Sequence, residues 1–486
     1  MTLLDLTPRV AVSDRLATSP VLIIGAGPIG LAAGANLLER GIDFEILEAG
    51  DSAAASIRQW GHTRLFSPWR HLIDPASRRL LQAAGWVWPV EDGRAPTGQE
   101  LVEEYIAPLA ELPAMRSRIR YGARVVAVTR DGMDRTRTAN RESTPFLVRA
   151  VTGPGDVIEL VGRAVIDASG TYSSPNPLSS SGLDPIGASG VDDLVVHALP
   201  DVLGADRARF AGRHTTVVGA GHSAANTLIA LTELAKSDPG TRVTWVIRNA
   251  SAVRVSSSPD DELADRARLG SRVDRLVDAG AIEKVDSFEI SAVRRHDEGV
   301  RLIGSRRGAS ATHDTDLVVN ATGFRPDLGM LREVRLQLDE IVEAPTRLAP
   351  LIDPNLHSCG TVEPHGFAEL RHPEHGFFLV GMKSYGRAPT FLLATGYEQV
   401  RSVAAWLDGD MRSATAVQLT LPATGVCSTD LGGSCDLPAP GSADNSTEDQ
   451  GCCAPAVAQE PADACCSGPH LVTIGAAPVS VRSSCC

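Results

Sequence analysis

Two short glycine patterns carry the clearest chemistry in this 486-residue chain: Gly25-Ala-Gly27-Pro28-Ile-Gly30 and Gly219-Ala-Gly221-His-Ser223-Ala224. Each follows a strand-forming run, Val21 to Ile24 or Thr215 to Val218, and opens a helix-forming one, the setting in which such a pattern binds a dinucleotide. The first glycine permits a tight turn, the second lets backbone approach a pyrophosphate, and the third small residue lets the helix pack close to the sheet. Pro28 suits the first helical turn, where the N–H it lacks has no partner within the helix. The remaining N–H groups and the helix dipole then face phosphate. The residues ending the next strand set the two copies apart. Glu48 can accept hydrogen bonds from ribose hydroxyls and repels a 2′-phosphate, which predicts FAD or NAD at the first copy. Trp245-Val-Ile-Arg248 ends in a guanidinium, which forms charge-assisted bonds to a 2′-phosphate and predicts NADPH at the second. Two dinucleotides in one chain imply hydride transfer from NADPH to a flavin, hence FAD.

These residues need a scaffold that repeats. Val21 to Ile24 and Phe44 to Leu47 flank a helix beginning near Pro28, while Thr215 to Val218 and Val243 to Ile247 flank another beginning near His222. Alternating strand and helix signals predict an α/β fold with parallel sheets. Ala164 to Ala168 runs into Ser-Gly-Thr-Tyr-Ser-Ser-Pro-Asn-Pro, and Leu317 to Ala321 runs into Thr-Gly323-Phe-Arg-Pro, two expected crossings between domains, with Gly323 a candidate cofactor-binding residue. The reading is an FAD-binding Rossmann-like domain (1–170 and 320–412) with an inserted NADPH-binding Rossmann-like domain (171–319). In the return part, Gly376 to Val380 is an expected strand and Thr390 to Leu407 an expected helix.

Composition bounds the partners. The chain is 43% apolar and carries a net charge of −13, so a nucleic-acid backbone and an anionic membrane surface are both disfavoured. Leu16 to Leu38 is uncharged and long enough to span a bilayer, but its glycines and Pro28 make it a buried strand, turn and helix. The N-terminus lacks the basic and apolar regions of a secretory signal, which predicts a cytoplasmic protein. No pattern specifies an oligomeric state. From Ser413 onward there is no Phe, Trp or Tyr, and seven acids face one Arg; such a segment cannot bury enough apolar area to fold. Residues 413–486 are therefore expected to form a disordered tail, which holds eight of the nine cysteines. Its adjacent pairs, Cys452-Cys453, Cys465-Cys466 and Cys485-Cys486, suit a soft thiophilic ion in a reducing compartment; drift in a low-complexity tail is the alternative.

Over most of residues 20–407 the chain resembles the two-dinucleotide-binding-domain flavoproteins, and within them the flavin-containing monooxygenase-like branch. Both glycine patterns, both crossings, Trp60 with Leu65-Phe-Ser-Pro68, and Pro96-Thr-Gly-Gln-Glu-Leu-Val-Glu-Glu-Tyr105 support this. Gly381-Met-Lys-Ser-Tyr-Gly-Arg-Ala-Pro-Thr-Phe-Leu392 further resembles flavoproteins encoded with arsenic-resistance genes. The resemblance implies that Val125 and Val126 lie on a strand whose backbone meets the FAD adenine, and that Gln59 and Trp60 lie near the flavin. Trp60 reads equally well as core. His62 is a candidate for action near the flavin or for a structural hydrogen bond; Arg64 is a candidate for orienting an anionic substrate or the NADPH phosphates, or a surface cation.

Two departures from the resemblance bear on the reaction. Around His197 the sequence matches only part of the FxGxxxHxxxW-type signature. Residues 51–70 and 222–236 contain no cysteine, so the dithiol that disulfide reductases hold beside the flavin is absent. The leading expectation is an NADPH-dependent FAD monooxygenase that oxidises a soft nucleophile, such as a trivalent arsenical, through a flavin C4a-peroxide, with oxygen and a small molecule as its partners. The alternatives are an NADPH-dependent flavin reductase passing electrons to the tail cysteines, and a metal- or metalloid-binding module.

Overall fold

Val21–Ile24 (β1) is apolar at every position and at most 4% exposed. Such an unbroken apolar run is the signature of a parallel strand covered on both faces. The computed structural model describes residues 16, 18–88, 93–153, 155–251, 264–353, 364–388 and 391–419, all within one unit, Met1–Leu431. After β1 come helix α1 (Pro28–Glu39) and β2 (Phe44–Leu47). Helix α2 (Pro75–Ala83), short helix α3 (Gly98–Leu101) and β3 (Ile119–Arg120) follow. An antiparallel meander, β4 (Ala123–Arg130), β5 (Phe146–Thr152) and β6 (Asp156–Gly162), leads into β7 (Ala164–Asp167).

The plan then repeats. After β8 (Val195–His197) come β9 (His214–Val218), α4 (His222–Ser237), β10 (Arg242–Val246), α5 (Ala264–Asp278) and β11 (Glu283–Val285). A second antiparallel meander, β12 (Phe288–His296), β13 (Gly299–Arg306) and β14 (Ala309–Thr315), leads into β15 (Leu317–Asn320). The chain returns through β16 (Phe377–Leu379) and α6 (Leu393–Leu407).

Two parallel sheets result, in the orders β16-β7-β1-β2-β3 and β11-β10-β9-β15-β8. The architecture is thus α/β with Rossmann-like halves, as the sequence predicts. Each sheet has its own core: Ile23, Leu31, Phe44, Val380 and Val403 belong to one, Val217, Leu228, Trp245 and Val318 to the other. Each fully buried aliphatic side chain among them contributes about 1.5–3 kcal/mol. β1 lies between β2 and β7, and β9 between β10 and β15. Each glycine pattern therefore leaves its sheet where strand order reverses, the place where open α/β sheets bind ligands.

Sequence and structure differ at the C-terminal edge of the packed chain. The boundary expected at 412 falls inside a helical turn, Met411–Thr415. Ala414 is buried there, its carbonyl accepts from Ser402 Oγ at 2.7 Å, and Arg401 donates to the carbonyls of Ser413 and Ala416. The packed chain thus runs past 412. Residues 420–486 lie outside the described residues, and with them every tail cysteine; Cys359 lies outside them too. Among the described residues, no helix is long and apolar enough to cross a membrane.

Candidate functional site: two dinucleotide cradles

At the first cradle, Gly25 has φ +99°, and a Cβ there would stand 2.9 Å from the Ala168 carbonyl oxygen. A Cβ on Gly30 would run into the Gly25 carbonyl. The protein itself demands glycine at both positions. Gly27 is different: its φ is −79°, and a Cβ would meet nothing within 4 Å. The open space at Gly27 is room for a group outside the chain. Gly27 is also the N-cap of α1, with no side-chain cap and no acid in the first turn, so the backbone donors there are available to phosphate. Glu48 Oε2 accepts from the Ala26 N–H at 2.6 Å and Oε1 from the Gly50 N–H at 2.8 Å. Its carboxylate is held at the rim of this space. Val125 pairs with Ala150, Ala127 pairs with Arg149, and Val126 between them has no partner. Val126 is the extra residue of a β-bulge, 42% exposed, and a bulge releases backbone polar groups from the ladder.

The second cradle repeats the first. Gly219 has φ +136°, and a Cβ there would strike the Ala321 carbonyl. Gly221 caps α4 with no side-chain cap, and a Cβ on it would meet nothing within 4 Å. Ser223 lies in the first turn of α4, and Ala224 is buried against the sheet at 1% exposure. Trp245 Nε1 donates to the Gly219 carbonyl at 2.7 Å, bracing the turn from below. Arg248 is exposed just past β10 and makes no hydrogen bond or ion pair with another described residue, so its guanidinium is available to a phosphate. Gly323 lies outside the fingerprint turn: with φ +97° it sits in the second crossing, where its carbonyl accepts from the Asn176 N–H at 2.9 Å.

The candidate catalytic residues separate. Gln59 and His62 line one cavity of about 400 Å³, together with Arg58, Gln99, Glu103 and Asp206. Trp60 packs its ring on Gly98, where a Cβ would come within 2.8 Å of it. Arg64 donates to the Ala95 carbonyl at 2.6 Å and lies 4.0 Å from Glu100, so it braces the 94–100 loop. Glu100 completes the capping box of α3 with Thr97. Its hydrogen bonds from Arg94 hold it below the usual carboxylate range. Phe66 stands 5.1 Å, ring to ring, from His222, so the segment after the first cradle touches the start of α4. Among the described residues no group of three or more His, Cys, Asp or Glu is placed to hold a metal. The candidate ligands Cys452, Cys453, Cys465, Cys466, Cys485 and Cys486 lie outside them.

Sequence reasoning missed Lys383. Its Nζ donates to Asp167 Oδ2 at 2.8 Å, in a pair exposed by only 1% and 0%. The available signal was a lysine inside an otherwise buried apolar segment, Phe377 to Tyr385.

A family model described as pyridine nucleotide-disulphide oxidoreductase matches residues 22–348. Indole-3-pyruvate monooxygenase YUCCA6 of Arabidopsis thaliana is 30% identical over 207 residues, 42% of this chain and 43% of that protein. The match therefore spans less than half of that relative. Bacillithiol disulfide reductase from Bacillus cereus has a similar structure, with TM-score 0.60 at 21% identity, covering 80% of this chain and 99% of that one. The cadaverine monooxygenase of desferrioxamine biosynthesis from Erwinia amylovora, solved with FAD, gives 0.58 at 14% identity, covering 84% and 98%. At these identities the two structures speak to fold alone.

Proposed function

The chain belongs to the pyridine nucleotide-disulphide oxidoreductase family, and on that premise we propose that this FAD-dependent oxidoreductase is an NADPH-dependent monooxygenase acting on a soft nucleophile. FAD, when bound, accepts hydride from NADPH and supplies electrons for the reduction of oxygen. The chain's own residues bind and orient. The N-terminus of α1 and Gly27 receive the FAD diphosphate, Glu48 its ribose, and the bulge at Val126 its adenine. The N-terminus of α4 and Gly221 receive the NADPH diphosphate, and Arg248 its 2′-phosphate. Residues 171–319 form the NADPH module in this reading, and 1–170 with 320–412 the FAD module. The cavity holding Gln59 and His62 is the candidate substrate chamber.

One observation carries the choice of oxygen as acceptor: residues 51–70 and 222–236 contain no cysteine, so neither segment offers the flavin a dithiol. The finer proposal is a trivalent arsenical as substrate, motivated by the 381–392 segment and by tail cysteine pairs that would concentrate a thiophile in a reducing cytosol. The test is NADPH oxidation by the purified flavoprotein with arsenite, methylated trivalent arsenicals, amines and thioethers, with and without oxygen. Substrate-stimulated turnover that requires oxygen is expected. Turnover of a disulfide or metalloid without oxygen would replace this reading with the reductase one, in which Cys485-Cys486 takes the electrons.

A further inference from the structure

The two halves end β7 and β15 on the same device, Asp167-Ala-Ser169-Gly and Asn320-Ala-Thr322-Gly. Asp167 Oδ1 accepts from Ser169 N–H at 3.1 Å and Ser169 Oγ at 2.6 Å. Asn320 Oδ1 accepts from Thr322 N–H at 3.3 Å and Thr322 Oγ1 at 2.7 Å. In both halves the carbonyl of the intervening alanine, Ala168 or Ala321, lies directly against the first fingerprint glycine, Gly25 or Gly219. This turn is thus the floor under each cradle, and its position sets where the fingerprint backbone can run.

The halves differ at the last side-chain atom. The Asn320 amide donates to the Asn176 carbonyl at 2.9 Å and so closes the device within the crossing. Asp167 has a second oxygen in place of a donor, and Lys383 meets it at 2.8 Å while also donating to Ser169 Oγ at 3.0 Å. Lys383 comes from the return segment. Its turn is pinned by Gln399 of α6, whose Oε1 accepts from Gly381 N–H at 2.7 Å and whose Nε2 donates to Ser384 Oγ at 3.0 Å. Gly381 also lies against Ile29, in the first turn of α1. A buried ion pair adds little net stability over an apolar pair of similar volume; what this one supplies is a fixed geometry among three segments.

We propose that Lys383 is a positioning residue of the FAD site: through Asp167 and Ser169 it locks the 167–169 turn beneath Gly25, so that the return segment completes the first cradle. The proposal rests on FAD occupying that cradle. The test uses full-chain apoprotein titrated with FAD and, separately, with NADPH, alongside thermal melting. Lys383→Met leaves Asp167 buried and unpaired, and is expected to lower the melting temperature and weaken FAD about tenfold or more, the scale on which orienting groups act, with NADPH affinity unchanged. Lys383→Met combined with Asp167→Asn removes the stranded charge. This double variant is expected to regain the melting temperature and still bind FAD weakly. If FAD affinity returned along with stability, or never changed, Lys383 would only neutralise Asp167 and the proposal would fall. If the wild-type chain took up no FAD, the cofactor reading would fall instead.

Discussion

Gly27→Ala separates what the protein needs from what its ligand needs. The backbone at Gly27 (φ −79°, ψ −175°) is open to any residue, and a methyl there would touch no protein atom within 4 Å. Alanine is a poorer N-cap than glycine by roughly 0.5–1 kcal/mol, and it restricts the unfolded chain, which returns about 0.4–1 kcal/mol. The two effects nearly cancel, so apoprotein stability should stay within about 1 kcal/mol of wild type. The same methyl fills the approach of the diphosphate. Loss of one charge-assisted hydrogen bond, roughly 1.5–3 kcal/mol, weakens FAD about 10- to 150-fold. Gly25→Ala gives the contrast, because φ +99° and the Ala168 carbonyl at 2.9 Å strain the apoprotein itself by about 1–3 kcal/mol. Urea unfolding of apoprotein and fluorescence titration with FAD measure the two quantities. A Gly27→Ala protein that bound FAD normally, or that lost several kcal/mol without any ligand, would refute the argument.

Arg248→Ala should weaken NADPH about 10- to 150-fold and leave NADH nearly unchanged, as binding titrations will read, because one charge-assisted phosphate contact is lost. Asp74 caps α2 but is buried, and desolvation outweighs its hydrogen bonds from Ser77 and Asn36, pushing its carboxyl up from 3.8 to about 6. Its folded value lies above its unfolded one, so the stability it contributes is complete below about pH 4 and lost as pH rises through 6. Denaturation at several pH values should therefore show Asp74→Asn gaining on wild type by roughly 3 kcal/mol between pH 4 and pH 7, and a constant difference would contradict this. Truncation after Leu419 should leave the melting temperature unchanged, whereas truncation after Arg412 should lower it, since Ala414 and its bond to Ser402 are removed.

The strands that build the cradles are readable to within a residue: Val21–Ile24, Phe44–Leu47 and Ala164–Asp167 are short and mainly apolar, with one acid each in the second and third. The antiparallel meanders are not. Ala309–Thr315 contains Ser, Thr, His and Asp and only two alanines, and such a strand is held by ladder pairing to Gly299–Arg306 more than by any pattern of its own. Glu48, Arg248 and the fingerprint glycines are legible as candidates because each stands at a fixed place beside a strand end or a helix start. Of the two readings of Arg64, the surface cation agrees with its half-exposed side chain; its bond to the Ala95 carbonyl, from a loop 31 residues away, has no local signal. For Lys383 the sequence offers only a lysine within an apolar segment and nothing that names its carboxylate partner, which is 216 residues distant.

The two crossings lie side by side. Pro175 and Phe324 pair as an antiparallel bridge, the Arg325 N–H donates to the Ser174 carbonyl at 3.0 Å, and Tyr172 and Phe324 rest 5.2 Å apart. Exit and re-entry thus share one doorway. On the proposed division, residues 171–319 could therefore leave and rejoin the β16-β7-β1-β2-β3 sheet without stretching it, because their ends already meet. Such a joint behaves as a socket. If residues 171–319 are the NADPH module proposed above, a different nucleotide module with equally close ends could be plugged into it, and swapping the electron donor would be an exchange of cassettes.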